Sequence, residues 1–135
     1  MSAYLAQAEY RPDVVLCSSS RRTMDTLDGI RAALPRRARV ELADELYLAD
    51  ANTLLKRLHG LNGKDRCAML VGHNPGIEDL SSLLVGSGDP GLRARLAVKF
   101  PTGALVALSF VCAWADLDAG AARIDDFFVS RSPRP

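Results

Sequence analysis

Met69-Leu70-Val71-Gly72-His73-Asn74-Pro75-Gly76-Ile77 joins an apolar run to a glycine, a histidine and the signals of a helix start. In an open α/β sheet, a residue in that place stands beyond the carboxyl end of a buried strand, where such sheets bind their ligands. Turn chemistry accounts for the neighbours: Asn74 reads as a helix cap and Pro75 as the first helical residue. It does not account for His73, which makes that residue the strongest candidate for chemistry in the chain.

A second segment repeats the arrangement. Val14-Val15-Leu16-Cys17 runs into Ser18-Ser19-Ser20 and then into Arg21-Arg22-Thr23-Met24-Asp25-Thr26-Leu27, an apolar strand followed by a helix that opens on arginines. Cations in a first helical turn oppose the macrodipole, which favours acids there by ~0.3–1 kcal/mol. Free N–H groups and a guanidinium fork at that end suit phosphate oxygens, so two strand ends aim at one anion. A solvated surface role for Arg21 explains that residue equally well.

Between and beyond these segments the pattern alternates. A helix over 3–9, a strand over 13–17, a helix over 20–33, a strand over 39–43, a helix over 51–59, a strand over 67–71 and a helix over 77–85 predict an α/β domain. Its sheet is mostly parallel, with helices on both faces. The stretch 86–91, Gly-Ser-Gly-Asp-Pro-Gly, reads as a flexible loop. Strands over 96–100, 104–112 and 124–129 read as a meander or hairpin, and 130–135 as a frayed tail.

The chain has 135 residues, 48% of them hydrophobic, and a formal net charge of +1. That length suits one domain spanning 1–135, and the charge supplies no bulk attraction to nucleic acid or membrane. The cluster Pro35-Arg36-Arg37-Ala38-Arg39 reads as a solvated loop. Cys17, Cys67 and Cys112 are odd in number and have no CxxC spacing, so they read as buried thiols of a reducing compartment rather than a zinc or redox site. The first residues lack an apolar signal core, and the cytoplasm is the expected location.

Taken in order, Ser18-x-x-x-Arg22 with Thr26, then Leu70-Val71-Gly72-His73-Asn74-Pro75-Gly76, then Lys99-Phe100-Pro101-Thr102-Gly103-Ala104 and Trp114 resemble the histidine phosphatase superfamily, in its SixA-type branch of phosphohistidine phosphatases. The resemblance covers about 12–129. It implies a phosphoglycerate mutase-like three-layer sandwich. It also implies that Arg22 binds phosphate, that His73 binds the phosphoryl group and stabilises its transition state, and that Ser18 lies near the phosphate. Arg22 and His73 should therefore point into one pocket at the carboxyl edge of the sheet. No metal and no cofactor are implied.

One departure matters. Members of the superfamily begin with a strand ending in Arg-His-Gly or Arg-His-Ala, whose histidine carries the phosphoryl group, and this chain contains no such motif. His59, in Arg57-Leu58-His59-Gly60, is not a substitute. Ala51, Leu54, Leu55 and Leu58 mark an amphipathic helix with Asp50 as N-cap and Gly60 as its stop, which makes His59 a helix-end residue.

Residues 1–8 read as the middle of the helix that follows the missing first strand, with Leu5 and Ala8 inward. A strand, a loop and half a helix amount to roughly thirty residues. The expectation is a sandwich that lacks its first central strand because the reading frame is truncated; a shortened, non-catalytic paralogue is the alternative. Removing a central strand leaves backbone groups unpaired at ~1–3 kcal/mol each.

For the complete protein the resemblance implies phosphoryl transfer to histidine and then hydrolysis. Asp44 and Glu45, in the segment 41–47, are the candidate general acids for a leaving oxygen. A phosphohistidine needs less acid assistance, because its protonated imidazole leaves readily. No insertion is long enough for a lid. Both points favour a phosphorylated protein of the histidine phosphotransfer type as substrate and partner. A small phosphomonoester, or a non-catalytic phosphate-binding or interaction module, is the other reading. Nothing in the sequence bears on oligomeric state.

Overall fold

The structure, a computed structural model, describes residues 2–8, 10–101 and 103–129. Thr102 of the Lys-Phe-Pro-Thr-Gly segment and the tail 130–135 lie outside them. In chain order the elements are α1 (Ser2–Ala8), β1 (Val14–Ser18), α2 (Arg21–Ile30), β2 (Arg39–Ala43), α3 (Ala51–His59), β3 (Ala68–Val71), α4 (Gly76–Leu84), β4 (Val85–Gly88), α5 (Pro90–Val98), β5 (Ala104–Ser109) and β6 (Ala122–Val129). Strands and helices alternate up to β4, as expected of a mixed α/β fold.

The first sheet has the order β2-β1-β3 and is parallel throughout. β1 lies in its middle and is buried along its whole length, in keeping with the unbroken apolar run of Val14 to Cys17. Asp13 sets the register at its start. Its N–H donates to the Cys67 carbonyl, its carbonyl accepts from Arg39 N, and its carboxylate accepts from the N–H groups of Arg66 and Cys67. The carboxyl ends of β1 and β3 are therefore held side by side.

Helices cover both faces. Leu54, Leu55 and Leu58 of α3 and Leu80 and Leu84 of α4 pack with Val14 and Leu16 on one face. On the other, Leu27 and Ile30 of α2 and Leu5 of α1 pack with Val15, Cys17 and Val71. The spacing of those leucines on α3 is the 3.6-residue period that placed the helix in the sequence. Asp50 caps it by accepting from Thr53 N at 2.8 Å.

The second sheet has the order β4-β6-β5, with β4 parallel and β5 antiparallel to β6. Leu105 of β5 packs against the Val71 and Val15 cluster. Among the described residues no ladder joins β3 to β5; the two sheets meet through side chains. Tyr4 of α1 stacks on Phe128 of β6 at 3.9 Å.

Three sequence expectations are corrected here. The stretch 86–91 is not simply a loop, because Val85–Gly88 forms β4. Its glycines serve close approach: a Cβ on Gly86 would stand 2.1 Å from the Gly120 carbonyl oxygen, and Gly88 takes φ +116° against Ile124. Glycine permits both arrangements without steric cost. The strand expected over 96–100 is instead the end of α5 and the residues after it. Asp89 accepts from Leu92 N at 3.0 Å and Pro90 opens the helix, so capping prevailed over a short apolar run. Finally, Cys17 is buried but Cys67 is exposed and Cys112 partly so, because Cys67 precedes β3 at the bottom edge of the sheet.

Among the described residues no helix is long and apolar enough to cross a membrane.

Candidate active site

Ser18 ends β1 fully buried, and the chain turns at once into α2. Ser20 is the N-cap, its Oγ accepting from Thr23 N at 3.3 Å. Thr23, itself buried, donates its hydroxyl to the Ser18 carbonyl at 2.7 Å, which ties the first turn of the helix back to the end of the strand. The capping preference that marks Ser at a helix start thus also stiffens the segment that presents Arg21 and Arg22.

His73 stands on the neighbouring strand end. Its carbonyl accepts from Ile77 N at 3.0 Å, fixing it against the start of α4. Its Nε2 lies 3.0 Å from Ser18 Oγ and 3.3 Å from Ser20 Oγ. The imidazole therefore bridges the two strand ends, and the direction of the proton in each contact follows the tautomer. His73 remains partly open to solvent.

The turn around His73 is clamped from below. Asn74 does not cap α4; its Nδ2 donates to the Phe100 carbonyl at 2.7 Å, and Pro75 takes the cap position without a side-chain bond. Glu78 accepts from Phe100 N at 2.7 Å. Both backbone groups of Phe100 are thereby held by the turn that follows His73. This contact joins the Gly-His-Asn-Pro-Gly segment to Phe100 of the Lys-Phe-Pro-Thr-Gly segment, and it is a correction to the helix-cap reading of Asn74.

Beside His73 opens a hollow of about 450 Å³ lined by Ser19, Ser20, Arg21, Asp44 and Tyr47. Asp44 accepts a hydrogen bond from Ser19 Oγ. The Tyr47 ring meets the His73 ring edge-on, centroids 5.3 Å apart at 88°.

The sequence-derived candidates divide as follows. His73 and Ser18 touch, and Asp44 lines the hollow next to them. Arg22 is exposed on the first turn of α2, and neither it nor His73 is among the residues that line the hollow, so this hollow is not the shared pocket expected of the pair; the arginine of the lining is Arg21. Glu45 is exposed and is not part of the lining. Ser20 and Tyr47 were missed. Ser20 was legible as a helix cap, whereas the approach of Tyr47 to His73 spans elements and leaves no local signal.

His59 ends α3, where its Nε2 contacts the Leu117 carbonyl at 2.7 Å. Nine residues of helix, about 13 Å at 1.5 Å per residue, separate it from the loop that carries Tyr47. Among the described residues no group of three or more His, Cys, Asp or Glu side chains is placed to hold a metal ion.

The chain matches no model of a known protein family. It is 32% identical over 120 residues to an uncharacterized protein of Mycobacterium leprae, covering 87% of this chain and 71% of that one. It is 30% identical over 121 residues to an uncharacterized protein of Mycobacterium tuberculosis, covering 88% and 74%. Among solved structures it resembles a candidate phosphohistidine phosphatase SixA from Nakamurella multipartitia, with TM-score 0.80, 28% identity and coverage of 94% and 76%. A candidate SixA from Agrobacterium tumefaciens gives TM-score 0.75 and 28% identity, with coverage of 96% and 75%. With this fold and with the histidine and serine motifs meeting at neighbouring strand ends, the chain belongs to the histidine phosphatase superfamily, in its SixA-type branch.

Proposed function

We propose that residues 1–135 form the phosphate-holding part of a phosphohistidine phosphatase, as a single domain. The observation that carries this reading is the contact of His73 Nε2 with Ser18 Oγ at 3.0 Å, made where the amino end of α2 opens. A phosphoryl group seated there meets the free N–H groups of the helix start and the imidazole, and in this reading the exposed Arg22 guanidinium on the first turn of α2 turns toward it when phosphate binds. Fixed donors of this kind gain strength as charge spreads over the equatorial oxygens in the transition state.

The nucleophile in this reading is a histidine on an Arg-His-Gly or Arg-His-Ala strand outside residues 1–135. The edge of β3 turned away from β1 has no ladder partner among the described residues, and a parallel strand laid there would end beside His73. In-line transfer to such a histidine forms a P–N bond as the bond to the leaving group breaks; water then cleaves the P–N bond and releases phosphate. Asp44 is the better placed of the two acids, because it faces the hollow. The open hollow admits a side chain carried on a protein surface, so the substrate is a phosphohistidine protein.

The test compares phosphate release from a phosphohistidine protein and from an aryl phosphate by this chain and by one extended upstream in frame, each with a His73→Ala control. The expected result is activity in the extended chain alone, reduced at least about a hundredfold by the substitution. Inactivity of both would favour a phosphate-binding module. Activity in residues 1–135 would overturn the assignment of the nucleophile, and a preference for small phosphomonoesters would overturn that of the substrate.

A further inference from the structure

The loop between β2 and α3 has features that phosphate binding does not require. It winds tightly about Leu46, which is buried. Tyr47 N donates to the Asp44 carbonyl at 3.0 Å and Ala49 N to the Leu46 carbonyl at 3.3 Å. Its far side is seated on the start of α4, where a Cβ on Gly76 would stand 2.0 Å from the Ala49 carbonyl oxygen. Only glycine allows that seat. The same α4 start holds His73 through the Ile77 N–H, so loop and histidine share one support.

This loop turns two large side chains outward. Tyr47 is 55% exposed and Leu48 is 65% exposed, the latter with φ +52°. A left-handed conformation is unfavourable for leucine, and here it leaves the Leu48 side chain exposed beside Tyr47 rather than packed in the core. The Tyr47 ring stands perpendicular to His73 while His73 Nε2 points at Ser18 and Ser20. The ring thus walls the hollow and abuts the imidazole, whose Nε2 is engaged by the two hydroxyls.

We propose that Tyr47 is a specificity-determining residue, the surface on which the leaving group of the substrate stacks, so that the site selects phosphoryl groups attached to flat aromatic rings over those attached to sugars or alkyl chains. The inference rests on the phosphate-site reading above and names the class of leaving group for it: an imidazole or aryl ring. Arg21 in the same lining adds positive charge beside the phosphoryl group held at His73 and the helix start, and Tyr47 supplies an apolar face for the leaving group. Offset stacking on an open tyrosine face is favourable beyond the area it covers.

The experiment uses residues 1–135 and three non-hydrolysable or inert probes: inorganic phosphate, methylphosphonate and phenylphosphonate, titrated by calorimetry or by amide shifts. The expected result is phenylphosphonate binding about five- to tenfold tighter than methylphosphonate. Tyr47→Phe should keep that ratio and Tyr47→Leu should bring it close to one, with unfolding curves showing that each variant is folded. Equal binding of the two phosphonates by the original chain, or a ratio that survives Tyr47→Leu, overturns the proposal. Failure of all three probes to bind overturns the phosphate-site reading itself, and the proposal with it.

Discussion

The two sheets differ in how they are buried, and the difference locates the site. β1 is buried at every residue, whereas β5 is only half-buried and ends on an exposed serine. A strand packed on both faces has its end fixed by close-packed neighbours, so buried Ser18 can hold His73 at hydrogen-bonding distance while the imidazole stays partly open to solvent. The second sheet contributes support rather than chemistry. Phe100, in the segment before β5, packs on Phe127 of β6 and carries that support to the turn that holds His73.

The sharpest way to break this contrast is a pair of truncations. Leu16→Ala in β1 should cost about 2–5 kcal/mol in urea unfolding, the range for a fully buried leucine; Val106→Ala in half-buried β5 should cost less than about 2 kcal/mol. Equal losses would show that the sheets are alike. A smaller effect tests the clamp: Asn74→Ala leaves the Phe100 carbonyl without its donor, at ~1–3 kcal/mol, and should also weaken phosphate binding. Stability lost with binding intact would separate the two sheets functionally.

His59→Ala sharpens the comparison from the far end of α3. It removes the contact with the Leu117 carbonyl and should cost ~0.5–1.5 kcal/mol while phosphate binding is retained; loss of binding would return His59 to the site. Asp50, at the near end of α3, is held below the usual carboxylate range by the Thr53 backbone N–H first and its hydroxyl second. Its folded value lies below its unfolded one, so its stabilisation is present above the ordinary Asp range and is lost as pH falls through the lowered value. Asp50→Asn, which keeps a cap, should flatten that part of the acid limb of a melting-temperature profile.

The smallest expected effect is chemical. Burial pushes both the Cys17 and the Cys67 thiol up, so access decides between them: a thiol reagent at neutral pH should modify exposed Cys67 first and buried Cys17 only after unfolding. Rapid labelling of Cys17 would mean that the first sheet opens more readily than its packing implies.

How far the sequence could be read follows the same division. β2 and α3 stand where their periodicity placed them, over 39–43 and 51–59, and β1, α2 and β3 within a few residues of expectation. Each satisfies its own pattern locally, by an apolar run, a cap or a 3.6-residue repeat. β4 and α5 depart from the sequence expectation because their signals are relational. Gly86 and Gly88 look like loop residues until Gly120, just before β6, and Ile124 of β6 lie against them, and the apolar stretch ending at Phe100 gains its meaning from Asp89, seven residues before Leu96.

The sequence alone determined that a histidine and an arginine-bearing helix start stand at the carboxyl ends of strands, because that placement depends only on the order of strand, turn and helix along the chain. Only the tertiary structure decided that His73 reaches Ser18 and Ser20, that Asn74 reaches across to Phe100 instead of capping its own helix, and that Tyr47 rather than Glu45 faces the hollow. The physical reason is one of range. Capping and periodicity act within a turn of the chain, whereas these contacts span 26 residues or more and exist only once the core has brought the elements together.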